Sequence, residues 1–89
     1  FWIAETYYAE KNYEDAILTY EALLKKFPDS KKTSSALLKQ AYSFIEIGDA
    51  KTGRIILKKL VEKYPDSKDA ELARKKLAEM DKKSSKKNK

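Results

Sequence analysis

Two five-residue segments, Phe27-Pro28-Asp29-Ser30-Lys31 and Tyr64-Pro65-Asp66-Ser67-Lys68, differ only in their aromatic residue and stand thirty-seven positions apart. They hold both prolines of the sequence, and each closes a stretch with helical periodicity. Proline lacks the N–H that a helix needs and turns the preceding residue away from helical geometry. A helix stop recurring at fixed spacing marks a stack of repeated units. The same shift lays Ala4 on Ala41, Thr6 on Ser43, Tyr7 on Phe44 and Asn12 on Asp49. It also lays Ala16 on Gly53, Leu23 on Leu60, Leu24 on Val61 and Lys26 on Lys63. Each pair keeps its size class or polarity. The chain is a repeat.

Five helices follow from the pattern. Residues 1 to about 10 carry Trp2, Ile3, Ala4, Tyr7 and Tyr8 on one face. Asn12 is the expected N-cap of a second helix, Tyr13 to Phe27, with Glu14 and Asp15 in its favourable first turn. Its stripe is Tyr13, Ala16, Ile17, Tyr20, Leu23, Leu24 and Phe27. Thr33 or Ser34 caps a third helix running to about Ile47, with a core stripe of Leu37, Ala41, Phe44 and Ile45. Gly48 supplies the left-handed residue that ends it, and Asp49 caps the next helix. Lys11 occupies the matching place in the first copy, where that geometry costs about 1 kcal/mol more than with glycine. The fourth helix, Ala50 to Tyr64, repeats the stripe through Gly53, Leu57, Leu60 and Val61, and one of Ile55 and Ile56 is left to face a neighbour. Ser67 caps a fifth, amphipathic helix from Lys68 to about Asp81 that closes the array.

Eighty-nine residues make one small domain. It divides into a partial first repeat at 1–30, a second at 31–67, the closing helix at 68–81 and a tail at 82–89. The net charge of +6 suggests nucleic acid, but the tail holds five lysines and no acid, so residues 1–81 carry only +1. Basicity belongs to the tail, which lacks apolar residues and is expected to be disordered. Nucleic acid is therefore not the expected partner. Were the tail to bind it, truncation at Asp81 would abolish a steeply salt-dependent affinity. No apolar run reaches the roughly 18 residues that span a bilayer, so membrane insertion is not expected. The chain opens on Phe1-Trp2-Ile3 without an initiator Met and reads as an excised piece, with any targeting segment upstream.

Chemistry is excluded by composition. With no histidine and no cysteine, the common bases, nucleophiles and transition-metal ligands are missing. Two glycines cannot build a phosphate-cradling loop. Asp29, Ser30, Asp66 and Ser67 read as helix punctuation, and Glu14 and Asp15 are adjacent and do not converge. No enzyme, cofactor or metal is expected.

The spacing resembles the tetratricopeptide (TPR) repeat. Ala4, Tyr7, Ala16, Tyr20, Leu23 and Pro28, and then Leu37, Ala41, Phe44, Gly53, Leu57, Leu60 and Pro65, stand where that family alternates small, aromatic and apolar residues before a proline. The resemblance implies an all-α fold, a right-handed α-solenoid of antiparallel helix pairs, here with five helices. A period of 37 instead of the usual 34, with Ala36-Leu37-Leu38-Lys39, Ile47-Gly48-Asp49 and Ala70-Glu71-Leu72-Ala73, is similar to the C-terminal TPR domains of the YbgF (CpoB) family of the Tol-Pal system. That likeness implies a periplasmic protein-binding module with a TolA-type partner and a role in envelope constriction during cell division. Similar aromatic-Pro-x-Ser repeats occur in the BamD family of outer-membrane assembly lipoproteins, which implies a scaffold instead. Arg54 and Gln40 stand where more apolar residues are usual.

In such a stack the first helix of each pair lines the concave side. The repeat register places Glu5, Tyr8 and Ala9 there, with Leu38, Tyr42, Ile45 and Glu46 from the second copy and Lys75 and Glu79 from the last helix. Tyr8, Leu38, Tyr42 and Ile45 are expected to form an apolar groove with charged edges, suited to an amphipathic helix or extended peptide. The expected test couples Tyr42→Ala to Leu38→Glu, with binding lost and helicity kept. Relatives that grip a C-terminal carboxylate place Lys and Asn where Phe1, Glu5 and Leu38 stand here, so that mode is not expected. The apolar end Phe1-Trp2-Ile3 predicts self-association.

Overall fold

In the computed structural model the backbone is described for residues 1–87 and side chains through Lys82. The order is α1 (Trp2–Ala9), α2 (Tyr13–Lys26), α3 (Thr33–Glu46), α4 (Ala50–Lys63) and α5 (Lys68–Lys87), with no strand among the described residues. Each helix packs on the next, and α5 also packs back on α3. The result is an all-α solenoid.

The turns inside the two hairpins follow one rule. Lys11 (φ 63°) and Gly48 (φ 94°) both adopt left-handed geometry, which only glycine takes without steric cost. Asn12 N–H bonds Tyr7 O at 2.9 Å, and Asp49 N–H bonds Phe44 O at 2.8 Å, so both helix ends are closed alike. Asp49 caps as expected, its carboxylate accepting from Thr52 N–H at 3.2 Å. Asn12 does not cap: its amide donates to Asp15 Oδ2 at 2.7 Å instead. With its donor end turned to that carboxylate, the amide oxygen makes no bond to the N–H groups of the first turn.

The two Pro-Asp-Ser elements diverge just beyond the serine. Ser67 directly precedes α5 and caps it, accepting from Ala70 N–H at 3.0 Å. Ser30 is followed by two more loop residues, and its hydroxyl accepts from Lys32 N–H at 3.1 Å while α3 begins at Thr33 with no side-chain cap. Thr33 is buried, and its hydroxyl donates to Phe27 O at 3.3 Å, tying the new helix to the end of the old one. Tyr64 Oη reaches Pro28 O at 3.5 Å and Asp29 Oδ1 at 3.4 Å, so one element rests on the other.

Small residues set the closeness of the helices. Ala4, Ala16 and Ala41 are fully buried, and a Cβ on Gly53 would lie 2.6 Å from Ile45 Cγ1 and 2.9 Å from Ala41 O. The core divides in two. Ala4, Ala16, Tyr20 and Ala36 join α1, α2 and α3, while Leu37, Leu38, Ala41, Leu57, Leu60 and Ala73 join α3, α4 and α5. Leu57 and Leu60 are fully buried, and each stabilises the second core by about 1.5–3 kcal/mol. Of the paired isoleucines, Ile56 packs on this core and Ile55 is exposed. Arg54, the polar intruder of the repeat, pairs with Asp81 and ties α4 to α5.

The closing helix runs past the expected end at Asp81. The backbone of α5 is helical to Lys87, its side chains are described only through Lys82, and residues 88–89 of the tail lie outside the described residues. No glycine or proline follows Pro65 to stop it, and lysine is a good helix former.

Candidate functional site

The first helix of each pair and the closing helix, α1, α3 and α5, share one side of the stack. Two ties hold them together. Lys39 Nζ on α3 stands 3.7 Å from Glu5 Oε1 on α1, and Ser34 Oγ donates to Asp69 Oδ2 on α5 at 2.9 Å.

Tyrosines occupy the space between. Tyr8 is half-buried, meets Tyr13 edge-on at 5.7 Å between ring centroids, and carries the Lys39 ammonium 5.6 Å from its own. Burial pushes its hydroxyl pKa up, and Tyr13, Tyr42 and Glu46 add to the effect. Tyr42 is also half-buried and raised, first by burial and then by Glu79 and Asp69 of α5. Beneath them Tyr20 is 1% exposed, and its hydroxyl has no hydrogen-bond partner among the described residues. Burial, with Glu5 and Tyr8 adding to it, pushes its pKa up to about 12. An ammonium over an aromatic face and rings with one polar edge suit a partner that offers both apolar surface and hydrogen-bonding groups.

The residues expected in the groove lie in different surroundings. Glu5, Tyr8, Tyr42, Glu46 and Glu79 share this side, the tyrosines half-buried and the acids exposed. Leu38 does not line it: it is 4% exposed and belongs to the α3–α4–α5 core. There α5 crosses α3 and covers the face on which a groove position was expected. Leu38→Glu would therefore break the core instead of testing a surface. Ile45 is likewise committed, half-buried against that core and seated over Gly53. Lys75 and Ala9 are exposed without an ion pair or aromatic contact among the described residues, and Lys76 is the one that reaches Glu79, at 3.7 Å. The surface is thus more polar than expected, aromatic and charged instead of aliphatic.

Lys39 and Asp69 were not among the expected site residues. Lys39 was legible, since Lys39, Tyr42 and Glu46 follow the i, i+3, i+7 spacing of one helix face. Asp69 was not, because its place depends on how α5 crosses α3.

At the amino-terminal end a second apolar surface is open. Trp2 is 77% and Ile3 58% exposed, and Phe1 meets the exposed Phe27 at 6.4 Å between ring centroids. Thirty-seven residues on, Gln40 and Ser43, the counterparts of Ile3 and Thr6, are buried, with Gln40 Nε2 donating to Ile17 O of α2 at 3.4 Å. The face that α2 covers on α3 is bare on α1.

Among the described residues no group of three or more His, Asp or Glu side chains is placed to hold a metal ion. No described helix is long and apolar enough to cross a membrane. No curated protein matches the chain. The repeat described as Tetratricopeptide repeat matches residues 1–30 and 35–67, one match in each copy. With more than half of its residues matched and the helix pairs in place, the chain belongs to the tetratricopeptide repeat family, whose members are non-enzymatic protein–protein interaction modules.

Proposed function

We propose that this module docks a segment of its partner on the side formed by α1, α3 and α5. The observation that carries the reading is the half-buried tyrosines Tyr8 of α1 and Tyr42 of α3, with Lys39 of α3 set over the Tyr8 ring and paired with Glu5 of α1. Two rings held by a rigid scaffold offer large contact area at little entropic cost, as binding anchors do. The partner class is that of the Tol-Pal system: a TolA-type envelope protein, met in the periplasm, in a process linked to envelope constriction at division. The 37-residue period and the Ala70-Glu71-Leu72-Ala73 ending support this choice over a BamD-like or generic scaffold. The bare end at Trp2 and Ile3 adds contact between copies of the chain, which sedimentation over a concentration series reads directly.

The test is calorimetric titration of the chain with the soluble domain of a TolA-type protein. Tyr42→Ala is expected to weaken binding by about 2 kcal/mol, roughly thirtyfold, with the helical circular dichroism unchanged. Affinity that survives both Tyr42→Ala and Tyr8→Ala overturns the assignment of this face. Binding of an unrelated acidic or basic domain with equal strength overturns the partner class.

A further inference from the structure

The opposite face of α3 carries a second surface. A helix turns 100° per residue, so Leu37, Gln40 and Phe44 point nearly opposite to Tyr42 and Glu46. They floor a cleft of about 420 Å³ that opens between α2 and α4, the second helices of the two pairs. That volume falls within the range of about 300–1,000 Å³ typical of ligand sites. Leu24 of α2 and Ile56 of α4 form the apolar walls, both half-buried. The lining stripe from Thr33 to Phe44 spans eleven residue steps of helix, about 16 Å, which matches roughly five residues of extended chain.

Charge and hydrogen-bonding capacity identify the occupant. Lys25, Lys59 and Lys63 stand on the rim with a single acid, Glu21. The Glu21–Lys25 pair spans 4.0 Å between exposed groups and neutralises little. Lys59 and Lys63 have no ion pair among the described residues, and both are exposed. In the floor Gln40 is 7% exposed, and its one hydrogen bond to described residues is the long donation to Ile17 O at 3.4 Å. Its amide oxygen accepts none from them, so a backbone N–H entering the cleft meets an unused acceptor. An apolar floor, a free amide oxygen and a cationic rim complement one kind of chain: extended, with an apolar side chain between carboxylates.

We propose that the cleft between α2 and α4 docks an acidic, apolar-bearing extended segment of a partner protein, independently of the α1–α3–α5 side. The apolar side chain enters between Leu24 and Ile56, a backbone N–H donates to Gln40, and carboxylates face Lys59 and Lys63.

The test uses the full chain and a fluorescein-labelled, end-blocked hexapeptide of alternating Glu and Leu, with a Lys-Leu hexapeptide as its charge-reversed control. Fluorescence anisotropy gives affinity, and amide shifts in nitrogen-15 correlation spectra give location. The expected result is saturable binding of the Glu-Leu peptide below about 1 mM, with shifts at Leu37, Gln40, Phe44 and Ile56 and none at Tyr8 or Tyr42. Replacing both exposed lysines, Lys59→Glu with Lys63→Glu, is expected to weaken it at least about tenfold while circular dichroism is unchanged. Gln40→Leu, which keeps the floor filled, is expected to weaken it as well. Equal binding of the Lys-Leu peptide overturns the proposal, as does unchanged affinity in the double lysine variant. Shifts confined to the Tyr8 and Tyr42 side, or saturation by decanoate at the same residues with none by the peptide, overturn it too. Loss of TolA-type binding in Tyr42→Ala leaves this result untouched, so the two readings fail separately.

Discussion

Gly53→Ala sets two well-measured effects against each other. Glycine inside a helix costs about 1 kcal/mol relative to alanine, so on propensity alone the substitution stabilises α4 by that amount. Packing opposes it. The new methyl carbon would lie 2.6 Å from Ile45 Cγ1, 3.1 Å from Ile45 Cδ1 and 2.9 Å from Ala41 O. Ile45 is β-branched and half-buried, so its side chain has little freedom to turn aside. Ala41 O is backbone in the middle of α3 and moves only if the whole helix does. Overpacking of this kind costs about 1–3 kcal/mol, and a backbone obstacle puts it near the upper end. The net is a loss of about 2 kcal/mol, or roughly 10 °C in Tm for a domain this small. Urea unfolding followed by circular dichroism measures it. Combining Gly53→Ala with Ile45→Ala separates the contributions: the cycle should return about 1 kcal/mol, leaving the share owed to Ala41 O. A Gly53→Ala protein that matches or exceeds the parent in stability would refute the close crossing of α3 and α4.

Three further outcomes follow from single residues. Lys11→Gly should raise stability by about 0.5–1 kcal/mol in the same unfolding assay, because Lys11 holds φ 63° against its steric preference. Gly48→Ala should lower it by about 1 kcal/mol although a Cβ there meets nothing within 4 Å, so the loss is purely conformational. Tyr20 ionises near pH 12 in the fold and near 10 in the open chain, so the folded state holds a proton that the unfolded state has lost. Stability contributed by that proton is intact below pH 10 and drains away as pH rises to about 12. Tyr20→Phe should flatten that part of the stability profile, and an unchanged slope would place the loss elsewhere.

What could be read from residues alone was local. The prolines, Gly48, Asp49 and Ser67 act on their own backbone or within a turn, and all behave in the structure as their chemistry dictates. Small residues at matched positions were legible because a helix crossing tolerates nothing larger. What escaped depends on the crossing of distant elements. Leu38 fits a groove stripe by periodicity, and only the path of α5 over α3 buries it. Asn12 looks like a cap until Asp15 is given a rotamer.

The middle helix explains why both surfaces were hard to see. Apart from Tyr20 on α2, the buried side chains with a polar group among the described residues, Thr33, Gln40 and Ser43, lie on α3, which is covered by α2, α4 and α5. A helix enclosed on three sides has no single apolar stripe, so its amphipathic pattern cannot announce which face is functional. Two of those polar groups are answered at once, Thr33 by Phe27 O at 3.3 Å and Ser43 by Lys39 O at 2.8 Å. Gln40 is answered only by a long bond and keeps an unused acceptor at the floor of the cleft. That oxygen is not buried: the buried side-chain polar atom without a partner among the described residues is Tyr20 Oη, so the Gln40 acceptor is open to the cleft and to whatever enters it. A leucine would fill the floor as well but would offer no acceptor. The polarity of this one position, set against a lysine rim, therefore argues for a ligand on the α2–α4 side, while the tyrosines argue for another on the α1–α3–α5 side.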